Sequence, residues 1–266
     1  MTEATPDVVL RTSAPEVVLR TRALVKRFGG ITATNNVSLD VTRGARHALI
    51  GPNGAGKTTL INQLTGVMPP TSGRVELEGR DITGLAPHKR VGLGLVRTFQ
   101  INQLFGTLTP LQSLALAVAS RVDAAHRWWK PMGSDAAIAD ECETLLAQFR
   151  LLDHAERPTK ELPYGKRRLL EIALAVALRP RVLLLDEPAA GVPASERADI
   201  LATVAALPAD VSVVLIEHDM DLVFSFANRI TVLVNGTVLT EGTPAEIAAD
   251  PQVKAVYLGE TAVSHG

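Results

Sequence analysis

Gly51-Pro52-Asn53-Gly54-Ala55-Gly56-Lys57-Thr58 is the stretch on which the reading of this chain turns. It fits the pattern G-x-x-x-x-G-K-[ST], and its flanks fit as well as its letters. His47 to Ile50 reads as a short buried strand, and Thr58 to Thr65 predicts a helix with Gly66 placed to end it. A Gly-rich turn between strand and helix lets backbone N–H groups point inward at a polyphosphate. The helix N-terminus adds a partial positive charge for the same anion. Gly51, Pro52, Asn53, Gly54, Ala55, Gly56, Lys57, Thr58 and Thr59 are therefore the candidate nucleotide-binding residues. Lys57 is placed to reach the β- and γ-phosphates, and the Thr58 hydroxyl to hold Mg²⁺. A Gly-rich turn that merely contains Lys-Thr is the competing reading, and the strand and helix on either side count against it.

Size and composition bound the alternatives. At 266 residues the chain accommodates one large α/β domain, or a core carrying a smaller subdomain. The hydrophobic share of 46% suits a full core, and a net charge of −1 argues against a surface built for nucleic acid. One cysteine, Cys142, excludes an internal disulfide; it shares helical spacing with Ile138, Leu145, Leu146 and Phe149 and reads as a core side chain. No apolar run reaches bilayer length: the longest, through Leu169 to Leu178, carries Glu171 and closes at Arg179-Pro180. The first twenty residues hold acids and prolines, so no secretory signal is expected there. Work at a membrane then requires another subunit to hold the chain in place.

Pro6 to Thr12 recurs as Pro15 to Thr21, the first copy reading as a loose tail and the second leading into a strand. Short apolar runs from Val17 to Val41, broken by Gly29-Gly30 and Asn35-Asn36, predict antiparallel strands, as does Arg74 to Leu77 with its Glu78-Gly79 turn. Between Thr98 and Arg179 the texture is mostly helical, with helices expected over Leu111 to Ala119 and Ala136 to Leu152 and a loop at Arg127 to Pro131. Strands return at Val182 to Leu185 and Val211 to Ile216, with a helix between them from Ala194 to Leu207. Thr243-Pro244-Ala245-Glu246 is a capping box, and Asp250-Pro251 opens a further helix. The expected division is a tail over 1–16, a core over 17–98 and 179–242, an inserted helical subdomain over 99–178, and C-terminal helices with a tail over 243–266.

Two more strand ends carry chemistry. Val182 to Leu185 delivers Asp186 and Glu187 at its C-terminal end, where α/β sheets place their ligands. Asp186 is the candidate for Mg²⁺, directly or through water, and Glu187 the candidate general base for the attacking water. Ile216-Glu217-His218-Asp219 supplies the other end, with His218 set to bond the γ-phosphate or orient the water. Phe28 is a candidate to stack on a purine, and equally an apolar residue beside the Gly29-Gly30 turn. The six histidines lie too far apart for a metal site.

These residues resemble the ATP-binding cassette family, the ATPase subunits of ABC transporters, over roughly Val17 to Glu260. Gly51 to Thr58 matches the family's Walker A motif and Val182 to Glu187 its Walker B motif. Gln100 in Arg97-Thr98-Phe99-Gln100 matches the Q-loop, His218 the switch histidine, and Phe28 the aromatic on adenine. Leu162-Pro163-Tyr164-Gly165-Lys166 stands in the place of the signature, usually Leu-Ser-Gly-Gly-Gln. The resemblance implies a P-loop NTPase cassette: a mixed core sheet with flanking helices, an antiparallel β region and an inserted helical subdomain. It implies a dimer with a second ATPase subunit, like or unlike, in which Pro163, Tyr164 and Gly165 of one chain complete the nucleotide site of the other. It also implies Gln100 as a further Mg²⁺ contact, permease subunits in the membrane, a solute-binding protein acting through them, and a place on the cytoplasmic face. Pro163 departs from the signature serine, losing a hydroxyl and an N–H, and Pro193 departs from the acidic or amide residue expected in the D-loop.

Within the family, the details are similar to the ATPases of branched-chain amino acid importers. Gly94 to Gln100, Leu162 to Gly165, Asp186 to Gly191, Glu217 to Met220 and the ending Val256 to Glu260 carry that likeness. The group also handles other amino acids, amides, urea and small aromatic acids. The nearest rival, a lipopolysaccharide-export ATPase, has a similar tail but is expected to show a Gly-Gly signature where this chain has Tyr164-Gly165. A soluble cassette acting on DNA or ribosomes would bring a second cassette, a coiled coil or a zinc module.

Overall fold

The structure, a computed structural model, describes residues 16–98, 104–122 and 136–263. Phe99-Gln100, Trp128-Trp129 and the first copy of the N-terminal repeat lie outside the described residues. The chain begins with β1 (Val17–Phe28) and β2 (Ile31–Thr42), then β3 (Arg46–Ile50), α1 (Lys57–Thr65), β4 (Ser72–Leu77) and β5 (Arg80–Asp81). It continues through α2 (Pro87–Gly92), β6 (Leu95–Arg97), α3 (Pro110–Arg121), α4 (Ala136–Gln148) and α5 (Tyr164–Ala177). The C-terminal part runs β7 (Val182–Asp186), α6 (Ala194–Ala205), β8 (Ser212–Ile216), α7 (Met220–Phe226), β9 (Arg229–Val234), β10 (Thr237–Gly242), α8 (Pro244–Ala249) and α9 (Pro251–Val263).

One sheet has the order β10-β9-β3-β8-β7-β6, the other β2-β1-β4-β5. In the first, β9, β3, β8, β7 and β6 pair in parallel and β10 closes the edge antiparallel to β9. The second is antiparallel throughout. The composition explains both. His47 to Ile50, Val182 to Leu185 and all of β8 are buried along their whole length, as strands covered on both faces must be. In β1 and β2 apolar residues such as Leu19, Leu24, Val37 and Leu39 face inward. Cross-strand charges stitch the outer face, with Arg20 opposite Asp40 and Arg22 bonded to Glu76.

Two apolar cores result. One lies between the antiparallel sheet, α1 and the near face of the parallel sheet, around Leu24, Leu49, Leu60 and Leu184. The other lies on the far face and gathers α3, α4 and α5 through Leu114, Cys142, Phe149 and Leu170. Cys142 is fully buried there, as its helical spacing indicated. The two expected breaks in the N-terminal strands differ in kind. Gly29-Gly30 does make the turn between β1 and β2. Asn35-Asn36 lies inside β2, where Leu24 pairs Val37 and Lys26 pairs Thr34, so an extra residue bulges and Asn36 takes φ 54°. Helix α4 stops at Gln148 rather than Leu152, because Arg150 enters the left-handed region at φ 54° and turns the chain.

His47 is the second residue of β3, one per cent exposed, and its Nε2 lies 2.8 Å from Thr231 Oγ1. The Thr231 hydroxyl donates to the Glu241 carboxylate at 2.9 Å, and Glu241 in turn accepts from Arg229. With that hydroxyl proton committed, Nε2–H is the donor and the ring is neutral. Burial pushes its pKa from 6.5 down to about 4. A folded pKa below the unfolded one means the unfolded chain takes up the proton first, so stability is full above pH 6.5 and lost as pH falls toward 4. Between pH 7.5 and pH 5 this group removes about 2 kcal/mol. His47→Gln keeps an N–H donor and cannot ionise in this range. Urea unfolding at both pH values should show wild type losing about 2 kcal/mol relative to His47→Gln on acidification. A constant difference would show that His47 binds its proton equally well in the folded and unfolded chain, against the burial effect.

Candidate functional site

The register of the parallel sheet assembles the site. Leu49 pairs with Ile216, and Ile216 pairs with Asp186, so β3, β8 and β7 end level with one another. The residues that follow, Gly51, Glu217 and Glu187, leave the sheet at one edge. Beyond β3 the chain makes the phosphate turn. Gly51 has φ 150°, and a Cβ there would lie 2.0 Å from the Leu233 carbonyl oxygen. Gly56 has φ 98°, and its Cβ would lie 2.3 Å from the Ala33 carbonyl oxygen. Only glycine passes at either point. Gly56 is also the N-cap of α1 and offers no side chain to the first-turn N–H groups, which leaves those donors for an anion. Lys57 folds back over the turn, its Nζ donating to the Gly51 carbonyl at 2.5 Å and the Pro52 carbonyl at 3.0 Å.

Thr58, Asp186 and Glu187 line a single cavity of about 640 Å³, together with Arg97, Thr98 and Arg168. The motifs bring the first three together and assign nothing to the last three. Asp186 Oδ2 accepts from Arg97 at 2.5 Å, and the same guanidinium reaches Asn62 Oδ1 at 2.9 Å. Glu187 occupies the left-handed region at φ 47°, anchored by its N–H to the Ile216 carbonyl and by its carbonyl to Arg168. A non-glycine residue held there costs of order 1–3 kcal/mol, which the surrounding bonds offset. Arg168 projects from α5 and pairs with buried Glu171 at 2.7 Å, whose carboxyl burial pushes above the usual range.

His218 follows β8 as expected, and its Nδ1 lies 3.8 Å from Glu187 Oε1. Between them works a residue that the sequence offered only as a neighbour. Glu217 is two per cent exposed and accepts from the N–H groups of Ala189 and His218, each at 3.2 Å. Its carboxyl ties the segment after Glu187 to the end of β8, and burial raises its pKa. No local pattern marks it; a Glu after an apolar strand is the sole signal.

Phe28 ends β1, half exposed, with the Lys26 ammonium 5.3 Å from its ring centroid. Pro163, Tyr164 and Gly165 do not line the cavity that holds Asp186 and Glu187. Pro163 caps α5, whose first residues are Tyr164 and Gly165, and Pro163 and Gly165 line a second cavity of about 180 Å³ with Glu196 and Asp199. The Tyr164 hydroxyl donates to the Ala190 carbonyl at 3.2 Å, and a Cβ on Gly191 would come within 2.9 Å of it. Tyr164 thus packs on the loop that follows Glu187. Pro193, in that same loop, caps α6. The Gln100 assignment falls outside the described residues.

Comparison with known proteins identifies the relatives of this chain. The ABC transporter family profile matches residues 34–190, and that of the branched-chain amino acid ATP-binding cassette transporter C-terminal region matches 237–263. The chain is 41% identical over 250 residues to the high-affinity branched-chain amino acid transport ATP-binding protein BraF of Pseudomonas aeruginosa, covering 91% of this chain and 98% of that one. It is 38% identical over 252 residues to LivG, of the same description, from Escherichia coli, with the same coverage. A crystallised ATP-binding cassette of an ABC transporter in its ADP conformation superposes with a TM-score of 0.80 at 32% identity, covering 91% of this chain and 99% of that one. With likeness of this degree running through nearly the whole chain, including the stretch that bears the phosphate turn and both acids, the protein belongs to the ABC transporter family of ATP-binding cassettes.

Proposed function

We propose that the protein is the ATP-hydrolysing subunit of an importer for branched-chain amino acids or related small solutes. The observation that carries the hydrolytic part is the level ending of β3, β7 and β8, which sets Thr58, Asp186 and Glu187 around one cavity. The importer part is supported by the C-terminal match over 237–263 and by the relatives' shared description. In this reading residues 17–98 and 179–242 handle nucleotide, and 99–178 form a helical arm.

The phosphate turn and the α1 N-terminus receive the β- and γ-phosphates, and Lys57 turns from its own carbonyls to them. Glu187 takes a proton from a water lined up on the γ-phosphorus, for a contribution of roughly 10²–10⁴ in rate. His218, close to the Glu187 carboxylate, holds the water or the γ-phosphate. Phe28 lies against the base. Hydroxyl and carboxylate oxygens are the donors that Mg²⁺ takes, and Thr58 and Asp186, with Gln100 as a further contact, would hold it beside the phosphates. When bound, the ion offsets charge on the β- and γ-phosphate oxygens. Pro163, Tyr164 and Gly165, lying outside this cavity, meet the nucleotide of a second ATPase subunit. No helix among the described residues is long and apolar enough to cross a membrane. In this reading permease subunits hold the chain at the cytoplasmic face.

Glu187→Gln should bind ATP normally and lose at least about 100-fold in turnover, read by phosphate release; near-normal turnover would remove Glu187 as the base. Lys57→Ala should weaken ATP binding by at least about tenfold in equilibrium titration, and unchanged affinity would refute the phosphate-turn assignment. Affinity purification of the tagged chain from its own membranes should recover permease subunits whose partner binding protein takes aliphatic amino acids. Recovery of an exporter's permease, of ribosomes or of nucleic acid would overturn the importer reading.

A further inference from the structure

Arg97 has no role in the hydrolytic reading, yet it bonds Asp186 and reaches α1, the helix that carries Thr58. It ends β6 at the sheet edge, beside β7, with Arg97 paired to Leu184. Its Nη2 donates to Asp186 Oδ2 at 2.5 Å and its Nη1 to Asn62 Oδ1 at 2.9 Å. Asn62 follows Thr58 by four residues on α1, which puts both on one face of that helix. The guanidinium therefore spans from the Thr58 face of α1 to the Asp186 carboxylate, and it lines the same cavity as both. The pair is about three-quarters buried, with side-chain exposures of 24% and 27%, so the bond is a shielded one. A carboxylate oxygen that accepts a short charge-assisted bond has less electron density to give a metal, and a fixed positive charge beside it repels a divalent ion.

We propose that Arg97 is a resident counter-ion of Asp186 that competes with the divalent cation for this carboxylate, and so sets the Mg²⁺ concentration at which the site loads. The inference rests on the proposed role of Asp186 as a cation ligand. In this role Arg97 acts through Asp186, as a positioning residue. Asn62 fixes the guanidinium from the other side, so that the exchange is a short swing of Arg97 between Asp186 and its α1 anchor.

The test is a titration of a fluorescent ATP analogue against the whole chain at increasing Mg²⁺, with no turnover required. Arg97→Gln keeps a donor for Asn62 and removes the charge. Its half-saturating Mg²⁺ should fall by about tenfold. Arg97→Lys, which keeps the charge on a shorter reach, should fall between the two. Asp186→Asn should raise the threshold, and the double variant Arg97→Gln/Asp186→Asn should match Asp186→Asn alone, since no carboxylate is left to compete for. A threshold in both Arg97→Gln and Arg97→Lys equal to or above that of wild type overturns the counter-ion role while leaving Asp186 as ligand. An unchanged threshold in Asp186→Asn overturns both. Thermal melts of each variant show that the fold has been kept.

Discussion

Parallel strands ending at the same level are the constraint from which the rest follows. Leu49, Ile216 and Asp186 share one register line across β3, β8 and β7. Each strand is sealed on both faces, so its apolar residues cannot move by one position without exposing a side chain or burying a charge. The phosphate turn, the two acids and the histidine therefore leave the sheet together, though Gly51 and His218 are far apart in the chain. Glycine at 51 and 56 then lets the turn run against the Leu233 and Ala33 carbonyls, which a Cβ at either position would strike.

The site's charged groups are held by contacts within the chain. Lys57 rests on two carbonyls of its own turn, Asp186 on Arg97, and Glu217 on two backbone N–H groups. These bonds prearrange the groups and also set what a ligand has to displace, so part of its binding energy goes to exchanging partners. Arg168 extends the same network into α5, joining the helix that begins at Tyr164 to the backbone of Glu187. Tyr164 makes a second join, through its hydroxyl to Ala190. The start of α5 and the loop after Glu187 are thus coupled by two separate contacts.

Features whose cause lies within a few residues were legible in the sequence. The phosphate turn was one, since strand, glycines and helix follow one another directly. The capping box at Thr243 and Glu246 was another, and both of its reciprocal bonds are present. Residues whose meaning comes from a distant partner were not legible. Arg97 meets Asp186 across 89 positions, and Glu217 meets Ala189 across 28. Arg90 is one per cent exposed and donates to the Gln63 and Leu64 carbonyls at the end of α1, a cap that no local pattern announces. Asn35-Asn36 resembles a break in sequence because the same residue types favour a turn and a bulge. Leu151 and Leu152 extended the apolar period of α4 past its end, because the left-handed Arg150 has no signature in apolar spacing.

Co-crystals of the full chain with Mn²⁺ and a non-hydrolysable ATP analogue test the convergence of turn and acids most directly. The anomalous signal of Mn²⁺ should lie between the Thr58 hydroxyl and the Asp186 carboxylate, with Lys57 Nζ moved onto the terminal phosphates and Glu187 facing the γ-phosphorus. A nucleotide bound elsewhere, or a metal remote from both Thr58 and Asp186, would contradict it.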